Sequence, residues 1–305
     1  MFSHILVPLD ESTLAERALP AAGAIAERSG AAVTLVLVHQ AVAAGGYPDA
    51  PWNSARLSSE RAYLDARAND LEARYKIRVS TAHPTGVPAT VLARCVDDRR
   101  ADLVVMTTHG RTGVSRAWLG SVADALMRLV DVPVLMLHSA AAASPAGGRG
   151  IFHKVMLPLD GSANAERIIE PALSLGGAEA SYFVTQVVEP VPLIIPSSDP
   201  YMITTAMPDE EATAQVVATA TRYIHGVAER LVARKAASIE QTVNVAPHIA
   251  ARILELASSH HADLVAITSR GRGASRLVIG SVADKLLRGS STPLLILNTN
   301  AQRSR

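Results

Sequence analysis

Residues 5–17 read ILVPLDESTLAER, and residues 155–167 read VMLPLDGSANAER, the same pattern 150 residues further on. Working outward, ADLVVMTTHGR (Ala101–Arg111) returns as ADLVAITSRGR (Ala262–Arg272), at an offset of 161. LGSVADALMR (Leu119–Arg128) returns as IGSVADKLLR (Ile279–Arg288), at an offset of 160. Three matched blocks in one order mean a domain written twice. The fall from 161 to 160 places a one-residue deletion in the second copy, between Arg272 and Gly280. The stretch SAAAASPAGGRG (Ser139–Gly150) is small, aperiodic and contains Pro and Gly, so it reads as a linker. The chain then divides into a first domain 1–138, a linker 139–150, a second domain 151–298 and a tail 299–305.

Within the first copy, Ile5–Leu9, Val33–Val38, Ile77–Thr81, Leu103–Thr107 and Val134–Leu137 are β-branched, nearly continuous apolar runs. Runs without alternation fit strands covered on both faces, as in a parallel sheet. Leu14, Ala18, Ala21, Ala22 and Ile25 recur at helical spacing, as do Val87, Val91, Leu92, Cys95 and Val96. The second copy repeats the latter set as Ile249, Ile253, Leu256 and Ala257. This alternation predicts two tandem doubly wound α/β domains, each a five-stranded parallel sheet with helices on both faces. The least regular stretches follow the second strand of each copy: AVAAGGYPDAPWNS (residues 41–54) and EPVPLIIPSSDPYMITTAMPDEE (residues 189–211). Each reads equally as a lid over a pocket or as a packing loop.

Composition narrows the function classes. The 305 residues are 49% hydrophobic and 19% charged, enough apolar material for a sizeable core and too much for a disordered chain. Lys and Arg number 29 against 28 Asp and Glu, so no global field draws the protein to nucleic acid or anionic lipid. No apolar run is long enough to span a membrane, and the N-terminal residues lack a secretory pattern. A cytoplasmic protein is the expectation. The single Cys95 excludes an intrachain disulfide, and on the apolar face of its helix it reads as a buried small hydrophobe rather than a reactive thiol. The ten histidines are scattered and suggest no metal site, and the adjacent His260 and His261 cannot converge on one ion from a helix face.

Ligands of open α/β sheets bind outside the carboxyl ends of the strands. There the first copy carries Pro8-Leu9-Asp10 and the second Pro158-Leu159-Asp160. Each Asp reads either as a ligand to a ribose, base edge or metal, or as a cap on the next helix. After the fourth strand comes THGRTGVSRAWLGSVAD (Thr108–Asp124), with Gly110, Gly113, Arg111 and Arg116, answered by Gly271, Gly273, Arg272 and Arg276. Ser121 with Asp124, and Ser281 with Asp284, fit a Ser-x-x-acid cap. A cap leaves the basic, Gly-rich loop unexplained, whereas an anion held at a helix N-terminus explains it. His109 lies beside Gly110, but its counterpart is Arg270, which argues against a catalytic role. Neither G-x-x-x-x-G-K-[ST], a first-strand G-x-G-x-x-G nor G-x-S-x-G occurs, and no nucleophile–base pair stands out.

These residues resemble the universal stress protein family in its tandem two-domain form, across both halves. The resemblance implies an adenine-nucleotide-hydrolase-like fold. Nucleotide-binding members carry Gly-x2-Gly-x9-Gly-[Ser/Thr] after the fourth strand. Here Gly110, Gly120 and Ser121, followed by Val122, match its later elements, while Thr107 stands at the first glycine. The second half has Thr268, Gly271, then eight residues before Gly280, Ser281 and Val282, so the deletion falls inside the proposed phosphate loop. The resemblance further implies that Pro8, Asp10 and Val38, with Asp160 and Val187 in the second half, face the ribose and base. ATP, with Mg²⁺ on its phosphates, is the implied ligand, and slow hydrolysis or autophosphorylation is known in the family.

The departures bear on that implication. A β-branched Thr107 is compatible with bound ligand only if its φ is negative and its side chain points away. The shortened second loop shifts its donors relative to the helix start, which makes the first half the expected site. The rival reading is a nucleotide-free interaction module with degenerate loops. The resemblance also implies pairing of the halves through Val134–Leu137 and Leu294–Leu297 as an internal pseudo-dimer, with a homodimer as a further step.

Overall fold

The computed structural model describes residues 1–40, 51–108, 120–138, 151–193, 207–234, 236–270 and 279–299. The linker 139–150 and the tail beyond Thr299 lie outside the described residues. The first half runs β1 (His4–Leu9), α1 (Thr13–Glu16), α2 (Ala18–Ser29), β2 (Ala32–Leu37), α3 (Pro51–Tyr75), β3 (Val79–Ala82), α4 (Pro88–Asp98), β4 (Leu103–Thr107), α5 (Ser121–Leu129) and β5 (Val134–Leu137). The second repeats it as β6 (Lys154–Pro158), α6 (Ala163–Glu166), α7 (Ile169–Gly176) and β7 (Ser181–Val188). It then inserts a small hairpin, β8 (Pro192–Leu193) and β9 (Met207–Pro208), and continues with α8 (Glu210–Ala233), β10 (Ser238–Val245), α9 (Ile249–Ser259), β11 (Leu264–Thr268), α10 (Ser281–Gly289) and β12 (Leu294–Leu297).

In each half the five strands are parallel, in the order β3-β2-β1-β4-β5 and β10-β7-β6-β11-β12. The last strands meet antiparallel, with Leu135 opposite Leu295, so the halves share one ten-stranded sheet. Strand alternation splits the core between the two faces. Ile5, Val7 and Leu9 join Ile25 of α2 and Leu64 and Leu71 of α3. Leu6, Val104 and Met106 join Leu92 of α4 and Leu126 of α5. Both clusters continue into the second half, so the duplicated domains share their packing.

The repeated Ala-Asp-Leu-Val motif anchors the sheet. Asp102 accepts the backbone N–H groups of Ser3 and His4 at 2.8 and 3.0 Å, and Asp263 accepts those of His153 and Lys154 at 2.7 and 3.0 Å. Each carboxylate ties the entrance of the first strand to the entrance of the fourth. Three sequence expectations shift. The second strand ends at Leu37, before Val38. The third begins at Val79, because the chain is still leaving α3 at Lys76, whose φ is 53°. The irregular stretch 41–54 already becomes α3 at Pro51, a residue whose fixed φ suits the first helical position. In the second half Asp209 caps α8, accepting from the Ala212 N–H at 2.9 Å, so residues 210 and 211 of that irregular stretch are helical. The remainder, 41–50 and 194–206, lies outside the described residues.

Candidate functional site

The carboxyl ends of β1, β2 and β4 place Asp10, Val38 and Thr107 along one edge of the first half's sheet. Asp10 holds its own turn: its Oδ1 accepts the Ser12 N–H at 3.0 Å and the Ser12 hydroxyl at 2.6 Å. Ser12 in turn caps α1 by accepting the Ala15 N–H at 3.1 Å. Asp160 repeats this with the Ser162 N–H at 2.9 Å. The Asp therefore braces the turn, and the neighbouring serine is the helix cap. Pro8 pairs with Val36 within β1 and β2, and Val187 is buried within β7, one residue before that strand's end.

Thr107 is the last residue of β4, paired with Leu137 and buried. Neither it nor Thr268 has a positive φ. The glycine of the family pattern is thus replaced without a strained backbone at this position. Thr268 donates its hydroxyl to the Arg270 carbonyl at 2.7 Å. Gly110 and Gly271, with His109, Arg111, Gly113, Arg116, Arg272, Gly273 and Arg276, lie outside the described residues.

The helix that follows starts differently from the capping pattern expected. Gly120, not Ser121, is the N-cap of α5, and it brings no capping side chain to the first turn. Ser121 is already helical, and Asp124 looks down the helix to Arg128 at 3.1 Å instead of back to the cap. Gly280, Ser281, Asp284 and Arg288 repeat the arrangement in α10. The reason is backbone proximity: Gly120 donates to the Thr108 carbonyl and Gly280 to the Ser269 carbonyl, both at 2.8 Å. The strand end fixes the cap residue, and Ser121 is carried one place too far to serve. The first-turn N–H groups, including those of Val122 and Val282, have no intrahelical acceptor. The side chains of these valines pack against the core, so only their backbone faces the edge.

The expected shift of donors in the second half falls on residues 271–278, outside the described residues. The helix start holds its place relative to the strand end in both copies, and the one-residue shortening is confined to the loop between them.

Sequence reading missed two features. Tyr63 of α3 and Tyr223 of α8 occupy matching places; burial, then the carboxylates of Glu16 and Glu166 respectively, push both phenols up. One residue beyond Val38, His39 meets Glu60 of α3 and His83 after β3. Cys95, expected to be buried, is half-buried against the core, and that burial pushes its thiol up, which disfavours the nucleophilic thiolate. His260 stacks on Phe183 at 3.9 Å, a packing role. Among the described residues no helix is long and apolar enough to cross a membrane.

Comparison with known proteins gives a consistent result. A model of the universal stress protein family matches residues 1–138 and again 151–298. A universal stress protein of Methanocaldococcus jannaschii is 29% identical over 140 residues, 45% of this chain and 82% of that one. One from Mycobacterium tuberculosis is 25% identical over 248 residues, 80% of this chain and 74% of that one. The solved structure of a universal stress protein from Archaeoglobus fulgidus superposes with a TM-score of 0.70 at 17% identity, covering 97% of this chain and 98% of that one, and speaks for the fold.

Proposed function

The chain belongs to the universal stress protein family, and from that premise we propose that its first half binds ATP, as a sensor or regulator in a stress response. The observation that carries this reading is the start of α5. A nine-residue helix begins at a glycine cap, which brings no side chain of its own to the first turn, at the carboxyl edge of a parallel sheet. N–H groups without an intrahelical acceptor and the positive end of the helix dipole together suit a phosphate. Gly120, Ser121 and Val122 would offer backbone donors to the phosphates, with Mg²⁺ accompanying them. Asp10 and Val38 on the same edge would face the ribose and base.

Thr107 meets the backbone condition of this reading, since its φ is not positive and the residue belongs to the strand. The first half is favoured because its loop keeps the nine residues of the family pattern between Gly110 and Gly120. ATP is the group that binds, and the chain's part is to orient it and hold its charge. Calorimetric titration of ATP into the full chain and into Gly120→Val tests the proposal. Heat of binding in the first and its loss in the second are expected.

A further inference from the structure

Leu37 ends β2, and its side chain enters the core on the α3 face of the sheet. Strand alternation carries His39 to that face as well. The bridge between His39 and Thr85 continues the β2–β3 pairing and brings His83 beside it on the same side. Glu60 lies one helical turn before Leu64 of α3, which is buried against this face. Three elements thus deliver three potential ligands to one point. Oε2 of Glu60 stands 2.7 Å from His39 Nδ1 and 2.8 Å from His83 Nε2. All three donor atoms lie within 4.8 Å of one another. The side chains are 3%, 1% and 7% exposed for His39, Glu60 and His83.

The second copy supplies an internal control. The sheet pairings and the repeated tyrosines align His39, Glu60 and His83 with Val188, Ala220 and Val243. There the same corner is filled by apolar side chains that pack into the core. The fold therefore does not require a polar trio at this place, and burying a carboxylate costs free energy that apolar packing avoids. The trio is also incomplete as a hydrogen-bond network, since Nδ1 of His83 is buried with no hydrogen-bond partner among the described residues. Arg56 holds the outer oxygen of Glu60, Nε to Oε1 at 2.8 Å, leaving Oε2 directed at the two rings. Burial opposes ionisation of Glu60, but hydrogen bonds from Arg56, His39 and His83 outweigh it and hold the carboxyl below its ordinary range.

We propose that His39, Glu60 and His83 form a binding site for a divalent transition-metal ion, Zn²⁺ foremost. Two imidazoles and a carboxylate are a donor set that suits Zn²⁺ and not the oxygen-seeking Mg²⁺ or Ca²⁺. Bonds of about 2.0–2.2 Å to the three atoms set the donors roughly 3.3 Å apart, so the rings retreat by about half an ångström from their present hydrogen bonds. Binding requires each ring to shift the proton it now donates to Glu60 onto its other nitrogen, Nε2 of His39 and Nδ1 of His83, so that the nitrogen facing Glu60 offers its lone pair to the metal. The three ligands leave a fourth position for water or a further group. The site is one residue from Val38 and distinct from the Mg²⁺ that would accompany ATP.

The test uses the full chain, purified without an affinity tag and stripped with chelator. Zn²⁺ and, as a spectroscopic substitute, Co²⁺ are titrated in the absence of nucleotide. One equivalent of bound metal, visible Co²⁺ absorption and a raised Tm are expected. The triple variant His39→Val, Glu60→Ala, His83→Val copies the second half's packing, so it should keep its fold, as circular dichroism would verify, while losing the absorption and the uptake. His225→Gln, at an exposed histidine, should retain both. Uptake below about a tenth of an equivalent by the wild type would leave the trio a hydrogen-bonded corner only. Equal uptake by a folded triple variant would equally overturn the site, as would a triple variant that fails to fold beside wild-type chain without Co²⁺ absorption.

Discussion

The backbone N–H of Gly280 donates to the Ser269 carbonyl at 2.8 Å, the counterpart of the bond between Gly120 and Thr108 in the first half. Its φ is −59°, so glycine is not needed for an unusual backbone angle. It is needed for space: an added Cβ would sit 3.1 Å from that carbonyl oxygen. Gly280→Ala should destabilise the chain by about 1–3 kcal/mol, as overpacking does. Urea unfolding measures it. Since nucleotide is proposed to bind in the first half, ATP affinity should change less than twofold.

Asp10 and Asp160 brace equivalent turns, so their substitutions share a structural cost. Asp10→Ala and Asp160→Ala should each lose about 1–2 kcal/mol of stability, the first giving up its bonds to the Ser12 N–H and hydroxyl and the second its bond to the Ser162 N–H. Only Asp10→Ala should also weaken ATP binding. Paired thermal melts and titrations separate the two effects, and equal losses of binding would contradict the ranking of the halves.

Glu11 follows Asp10 at a φ of 65°, where the second copy has Gly161 at 83°. A side chain at such an angle is strained, and glycine relieves it. Glu11→Gly should raise stability by about 0.5–1 kcal/mol, partly offset by the freer unfolded chain. A rise in the denaturation midpoint at unchanged slope is the expected reading.

His4 donates to or accepts from Thr34 Oγ1 at 2.7 Å, and burial lowers its pKa from 6.5. A depressed folded value favours the neutral ring in the fold. Its contribution is therefore full above pH 6.5 and declines as pH falls towards the folded value. His4→Gln should flatten the stability profile below pH 6.5, measured by urea midpoints.

The repeat made the topology legible before any coordinates, because duplicated strands such as Leu103–Thr107 and Leu264–Thr268 keep their apolar runs and their following glycines. The edge holding Asp10 and Gly120 followed from strand order alone. The cap was misassigned because Ser-x-x-Asp is a local pattern, whereas the cap is set by contact between Gly120 and the distant Thr108. His39, Glu60 and His83 were illegible for a related reason: 21 and 23 residues separate Glu60 from its partners, on three different elements. A hint existed in Glu60 itself, an acid one turn before the core residue Leu64 on the inner face of α3.

The central claim is that the glycine-capped start of α5 holds the phosphates of ATP. Its most direct test is calorimetric titration of ATP with Mg²⁺ into the full chain, beside Gly120→Val and Gly280→Val, each checked for folding. One binding event per chain, abolished by the first substitution and kept by the second, is the predicted result. No heat and no thermal shift at millimolar ATP, or loss of binding only in Gly280→Val, would contradict it.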